Sequence, residues 1–423
     1  MAHFFTPVQL LKHPLFLQQI PHLLLFLIPF CLLFWTTGIW LIQALLLLAW
    51  LLGRHSQQRH YAQHVSVLKS DPLANYSLAV VLGYVIWSGC SVLLLHSPLQ
   101  SIDNGLIFLL WCLMLPVLAD LKPNYLFLAY GCFIALVLAL LLALTQFHIL
   151  NLKRAFGLYG NGQTGSGAIK FGDMALLFGM LTQVLLAQTR FKLLGILGLL
   201  LGVLICLYAS SRGGLFAIGL CIVIALLNQA RYRLPGLKMA GLLAVGGFAL
   251  YLLNSLMHDF LLARLQETKD EFALILALKF STPIGIRLHL WYAAFMMFLE
   301  HPWLGVGINN FAKALKGLQH AGGLSNEALR YAHAHNEYLC ALATGGIFGF
   351  VLTLLLFILP IRLFWQDYHT NVWAKAGFWS VCLMSFFALT DCVFDRRMTV
   401  MAFIVMVSLC MAGNLRFKAD KLC

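Results

Sequence analysis

The stretch Tyr331-Ala-His333-Ala-His335-Asn336-Glu337-Tyr-Leu339 gathers two imidazoles, an amide and a carboxylate into one short segment. An imidazole is the side chain best suited to accept a proton near neutrality, because its unperturbed pKa is about 6.5. His335, at what reads as the mouth of a helix, is therefore a candidate general base toward a hydroxyl group. His333 would point about 200° away from it on a helix, so both serve one site only if the chain is still extended there. Asn336 and Glu337 are supporting candidates, with Glu337 able to orient His335 or to compete as the base. These two histidines with His301 or His320 could also hold a metal, but no His-Glu-x-x-His or comparable signature occurs, so no metal is expected.

Five cations form a second candidate set: Arg154, Lys170, Arg212, Arg264 and Arg287. A guanidinium stays charged and presents a planar fork of donors that matches phosphate oxygens, so converging arginines suggest a phosphate or diphosphate group. Arg154 precedes Phe156-Gly-Leu-Tyr-Gly-Asn-Gly162, a loop able to bring backbone N–H groups to an anion, although such loops are also plain linkers. Arg212, in Ser210-Ser-Arg-Gly-Gly214, reads equally as a ligand contact or as an interfacial anchor. Lys170 either pairs with Asp173 across Phe171-Gly172 or reinforces the cationic site. The remaining carboxylates of interest are Glu300, Glu327 and Asp391.

The elements that must position these groups are membrane helices. Of the 423 residues, 61% are hydrophobic and only 10% charged, and runs such as Leu193 to Tyr208 and Gly346 to Ile361 are continuously apolar rather than alternating. Such runs require lipid as solvent and helices to satisfy the backbone, which makes the fold class all-α and the chain a polytopic integral membrane protein. Twelve helices are expected, roughly at 17–34, 38–52, 74–95, 102–119, 124–148, 172–189, 191–208, 213–229, 236–256, 336–361, 373–390 and 397–413, within a single membrane domain. Between helices 9 and 10 lies one long loop, 257–335. Its stretch from Ile286 to Glu300 is amphipathic and is expected to lie in the interface or dip into the bundle.

Most short-loop Lys and Arg, among them Lys12, Arg54, Arg59, Lys69, Lys122, Arg190 and Lys192, fall on the side of the two termini. Lys153, Arg154, Lys170, Arg212, Arg396 and Arg397 fall on the other. The positive-inside bias makes both termini cytoplasmic and turns the long loop outward, to the periplasm of a bacterial inner membrane. The first apolar stretch lacks a small-residue cleavage site and reads as a retained anchor. A formal charge of +13 invites a nucleic-acid partner, but no soluble basic domain carries it, so none is expected. The long loop contains no cysteine and must be held by packing and polar contacts. No internal repeat or low-complexity tail is evident.

In order and spacing, the chain resembles the O-antigen ligase family of the ligase and polymerase superfamily. The resemblance rests on Arg154 with Gly157 and Asn161, Phe171-Gly-Asp173, Ser211-Arg-Gly213, Arg264, Arg287, His301-Pro-Trp-Leu-Gly-Val-Gly307, and His333-Ala-His-Asn-Glu-Tyr-Leu339 followed by Gly345-Gly-Ile-Phe-Gly349. It covers roughly residues 150 to 350. It implies a GT-C-like membrane enzyme that transfers a glycan from undecaprenyl diphosphate to a sugar hydroxyl of lipid A-core at the periplasmic face. Arg154, Arg264 and Arg287, with Arg212 and Lys170, would hold the diphosphate, and His335 would act as base. The reaction would invert the anomeric centre and need neither metal nor cofactor. Ala334 departs from the Pro that often separates the two histidines, which weakens the case for His333.

Two neighbouring activities share the signature: O-antigen polymerase and protein O-oligosaccharyltransferase. A polymerase more often has two large outer loops, and a protein-modifying enzyme a larger soluble carboxy-terminal part. A transporter or flippase would place ionisable groups deep inside the spans, whereas here polar residues gather at one face.

Overall fold

In the computed structural model, which describes residues 14–35, 37–53, 71–122, 124–158, 165–230, 260–277, 281–320 and 327–422, every regular element is helical. In chain order these are α1 (Pro14–Phe34), α2 (Gly38–Gly53), α3 (Pro72–Leu95), α4 (Gln100–Leu121), α5 (Tyr125–Leu144), α6 (Gly165–Leu186), α7 (Lys192–Tyr208) and α8 (Arg212–Ala230). They continue with α9 (Phe260–Leu276), α10 (Pro283–Glu300), α11 (Phe311–His320), α12 (Glu337–Gln366), α13 (Val372–Phe387) and α14 (Arg397–Leu422). Eleven of the twelve expected helices coincide with α1 to α8 and α12 to α14; the expected helix at 236–256 lies outside the described residues. Among the described residues, α3, α4, α5, α6, α12 and α14 are long and apolar enough to cross a bilayer. Helices α1, α2, α7, α8 and α13 are apolar over shorter described stretches.

These helices pack because their faces are small or apolar. In α14, 94% of the most apolar window is enclosed, against 17% in α3, so α14 is a central helix and α3 faces outward. Helices α6 and α7 approach through Gly179, Gly198 and Gly202. A Cβ on Gly202 would stand 2.6 Å from the carbonyl oxygen of Ala175, too close for any other residue without movement.

One end of the bundle is closed by Lys418 of α14, whose ammonium lies 2.7 Å from Asp71 at the start of α3 and 3.3 Å from Asp367 beyond α12. The other end carries the polar loops. There Asn310 donates to Val306, while Ser101 of α4 donates to the Ile308 carbonyl at 3.0 Å, fastening the 301–310 segment over the α3–α4 turn.

That segment is also inserted into α12. Gly346 breaks the helix at φ +58°, and its missing side chain leaves room for the Trp303 carbonyl. Val306 and Gly307 then donate to the freed carbonyls of Ala343 and Thr344 at 2.9 and 3.0 Å, and Ile347 donates to Pro302 at 2.9 Å. The interrupted backbone is thereby satisfied by protein, as irregular structure at membrane depth requires. The second and third turns of α12 are thus held from the side.

Candidate active site

The chain between Tyr331 and Asn336 is not helical: α12 begins at Glu337, with Asn336 as its N-cap accepting from the Leu339 N–H at 3.1 Å. His333 and His335 therefore lie together, their ring centroids 4.4 Å apart. His335 has φ +50°, a left-handed conformation that costs about 1 kcal/mol or more in a residue other than glycine. The surroundings impose it. Trp291 of α10 donates from its indole nitrogen to the Ala334 carbonyl at 3.0 Å, and the Tyr331 ring lies 5.2 Å from that of His335.

The second wall is the loop between α13 and α14. Asp391 Oδ1 lies 3.2 Å from His335 Nδ1. Burial alone would raise the Asp391 carboxyl's pKa, but the hydrogen bond and charge of His335 outweigh it and hold the group down at about 2. An ionised Asp391 can only accept, so Nδ1 of His335 carries the hydrogen and Nε2 is left as the basic nitrogen. No hydrogen-bond partner of Nε2 occurs among the described residues. This is the arrangement in which a carboxylate fixes the tautomer and orientation of a histidine base.

His333 is in a different state. Its Nδ1 accepts the His335 backbone N–H at 3.3 Å, while Nε2 lies 3.3 Å from Arg396 and 3.9 Å from Asp395. Burial, with the charges of His335 and Arg396, pushes its pKa down to about 4 despite Asp395 and Asp391. A buried imidazole this weakly basic serves as an acceptor and a packing wall near neutral pH. Glu337 is buried and turned to the same loop: its Oε2 accepts from Phe394 N at 2.9 Å, and its own N–H donates to Ala388 at 2.8 Å. Asn336 adds a third tie, from its amide to the Leu389 carbonyl at 3.1 Å. The carboxylate that orients His335 is thus Asp391, while Glu337 and Asn336 hold the loop that presents it.

Two cations lie within electrostatic reach of Asp391. Lys170, near the start of α6, is under the influence of Arg396, Asp391 and Asp395. Arg287 of α10 is mostly withdrawn from water, which pushes its pKa down, and Asp391 is the first of the charges that raise it again. Neither Lys170 nor Arg287 has a hydrogen-bonded or ion-paired partner among the described residues. Arg212 also acts on Arg287, but its guanidinium is clamped by Glu271 of α9 at 3.1 Å and lies 3.5 Å from Glu267. Asp173 does not neutralise Lys170; its carboxylate accepts from Ser211 at 2.7 Å, and Ser211 in turn caps the Gly214 N–H at the start of α8. Arg264 is carried by α9, and the placement of its side chain lies outside the described residues. Arg154 lines another cavity, with Lys153 and Glu267, to which none of His333, His335, Lys170, Arg287 and Asp391 contributes.

His333, His335 and Asp391 also place one ligand atom each within 4.8 Å of one another, a spacing compatible with a divalent ion. The hydrogen bonding argues for another use. Both ring nitrogens of His333 already face donors, one nitrogen of His335 is committed to Asp391, and Lys170, Arg287 and Arg396 make the surroundings better suited to an anion.

The polar run from Asp391 to Arg397 was legible as a break between two apolar helices. What it touches was not. Asp391, Asp395, Arg396 and Trp291 join the site through contacts that no local spacing announces.

The described residues form an all-helical fold with six helices long and apolar enough to cross a membrane, and they set a carboxylate-oriented histidine within electrostatic reach of Lys170 and Arg287. Residues 197–354, which include Arg212, Arg264, Arg287, His333 and His335, match the family model described as O-antigen ligase. The match supports the ligase and polymerase superfamily, whose members are enzymes, and a role in the assembly of O-antigen or a related polysaccharide. Comparison with curated proteins returned no match.

Proposed function

We propose that the protein is an O-antigen ligase: a glycosyltransferase that moves a glycan from undecaprenyl diphosphate to a sugar hydroxyl of lipid A-core at the periplasmic face of the bacterial inner membrane. The observation that carries this reading is the His335–Asp391 pair, with Nε2 of His335 unpartnered among the described residues and Lys170 and Arg287 within electrostatic reach of Asp391.

The chemistry follows from those groups. The glycosyl–phosphate bond breaks with its electron pair going to the diphosphate, whose growing charge Arg287 and Lys170 stabilise. Arg212 and Arg264 are the further candidates for this set. The acceptor hydroxyl oxygen forms the new bond at the anomeric carbon and gives its proton to His335 Nε2, while Asp391 stabilises the imidazolium. Direct displacement inverts the anomeric configuration. Preorganised cations contribute most where charge develops in the transition state, and a positioned base adds about 100-fold or more. In this reading no metal or cofactor takes part.

Purified protein in liposomes, supplied with an undecaprenyl-diphosphate glycan, tests the reading with three acceptors: lipid A-core, a second copy of the glycan lipid, and a pilin peptide. The ligase reading requires product on lipid A-core. Product confined to the second acceptor would make the protein a polymerase, and product confined to the third a protein O-oligosaccharyltransferase.

A further inference from the structure

Arg154 stands away from His335 in a cavity of about 560 Å³, and the chain goes to some length to build the turn that places it there. After α5 the helix widens into one π turn, Thr145–Ile149, of the kind often kept at functional positions. Gln146, buried within it, accepts from the N–H groups of Phe156 and Gly157 at 2.9 and 3.1 Å and donates to the Gly157 carbonyl at 2.6 Å. Leu152 donates to the Gln146 carbonyl and Ala155 to that of Tyr208, both at 2.9 Å, while Asn151 turns the chain at φ +50°. The result is a fixed platform carrying Lys153 and Arg154 side by side.

The walls are of two kinds. Phe147 and Leu152 make the inner side apolar, and the neighbouring Ile149, Leu150 and Leu158 are exposed by 71%, 58% and 61%. Across the cavity, α9 contributes Glu267 and exposes Leu262 and Leu265. Two cations against one carboxylate, at the end of a candidate span and flanked by exposed apolar side chains, match the junction of a phosphate with an acyl-bearing headgroup. A free anion would not need the apolar surround, and a phosphate on a distal sugar would not reach the bilayer edge.

We propose that Lys153 and Arg154 bind a lipid-anchor phosphate of the acceptor glycolipid, a site separate from the one that holds the donor diphosphate, in place of the donor-diphosphate role that the resemblance implies for Arg154. The assignment rests on the ligase reading, because the donor diphosphate must lie within reach of His335 and so leaves this cavity to the other substrate. Glu267 links the two, since it lines this cavity and lies 3.5 Å from Arg212.

Binding to protein in nanodiscs, followed by native mass spectrometry, tests the site without requiring turnover. The probes are bis-phosphorylated lipid A, its dephosphorylated form, undecaprenyl diphosphate and phosphatidylglycerol. Wild-type protein is expected to prefer the phosphorylated over the dephosphorylated lipid A by about 10-fold or more, the scale of one or two charge-assisted hydrogen bonds. Lys153→Gln, at an exposed position, should lower that preference, and Lys153→Gln with Arg154→Gln should abolish it, leaving undecaprenyl diphosphate binding unchanged. An unchanged preference in a folded double variant would overturn the proposal. So would a loss that falls on undecaprenyl diphosphate, or wild-type binding of phosphatidylglycerol as tight as that of phosphorylated lipid A. Failure of transfer to lipid A-core in the liposome assay, with this binding pattern intact, would instead count against the ligase reading alone.

Discussion

His335 Nδ1 and Asp391 Oδ1 meet at 3.2 Å although 56 residues separate them in the chain. The contact joins the segment before α12 to the loop between α13 and α14, and it fixes the orientation of the His335 ring. Asp391→Asn keeps the size of the side chain but can stabilise neither the same tautomer nor the imidazolium. We expect kcat to fall by about 100-fold or more, with donor KM changed little. Steady-state kinetics on both substrates checks this, and an equal fall in donor affinity would assign Asp391 to binding instead.

Arg287 and Arg212 should differ. Arg287 has no ion-paired partner among the described residues, whereas Arg212 is held by Glu271. Arg287→Gln should therefore lower kcat/KM for the donor by about 10- to 100-fold, the range of a lost charge-assisted contact. Arg212→Gln should combine a smaller catalytic loss with weaker attachment of α9, because it leaves the buried Glu271 carboxylate without its guanidinium partner. Limited proteolysis within 260–276 should separate the two variants, cutting faster only in Arg212→Gln.

Protonation gives the fold a defined acid sensitivity. The folded pKa of His333 is lowered to about 4, so between about 6.5 and 4 the unfolded chain binds a proton that the folded one refuses. Stability should fall across that window as pH drops. Asp391, depressed to about 2, contributes stability that is present above about 3.9 and lost as pH falls toward 2. Thermal unfolding midpoints of wild type and His333→Asn between pH 7 and 4 check the first effect: the variant should show the shallower decline.

Gly346 offers a test of the scaffold. Its φ of +58° and the neighbouring Trp303 carbonyl leave no room for a methyl group. Gly346→Ala should cost about 1–3 kcal/mol and loosen the 301–310 segment. Hydrogen exchange at Val306 and Gly307 should accelerate, and an unchanged exchange rate there would show that the docking does not depend on the glycine.

How much of this was written legibly in the chain differs from residue to residue. Helices α1 to α8 and α12 to α14 follow from continuous apolar runs, a strong signal because lipid leaves the backbone no other solution. His335, Arg287 and Lys170 were recognisable by residue type against an apolar background. The partners were not. Asp391 was one of several outward carboxylates, and only packing between two loops makes it, rather than Glu337, the group that orients His335. Gln146 lies in an apolar run and reads as a tolerated polar residue until its three hydrogen bonds appear. The break at Gly346 was equally hidden, because a run of apolar residues on either side looks like one uninterrupted helix.

The most direct test of the account is the rate at which purified protein transfers glycan from undecaprenyl diphosphate to lipid A-core when His335 is replaced by Gln. The account predicts transfer by the wild type and a rate at least about 100-fold lower in the variant, with donor still bound. Transfer by His335→Gln at the wild-type rate would contradict it.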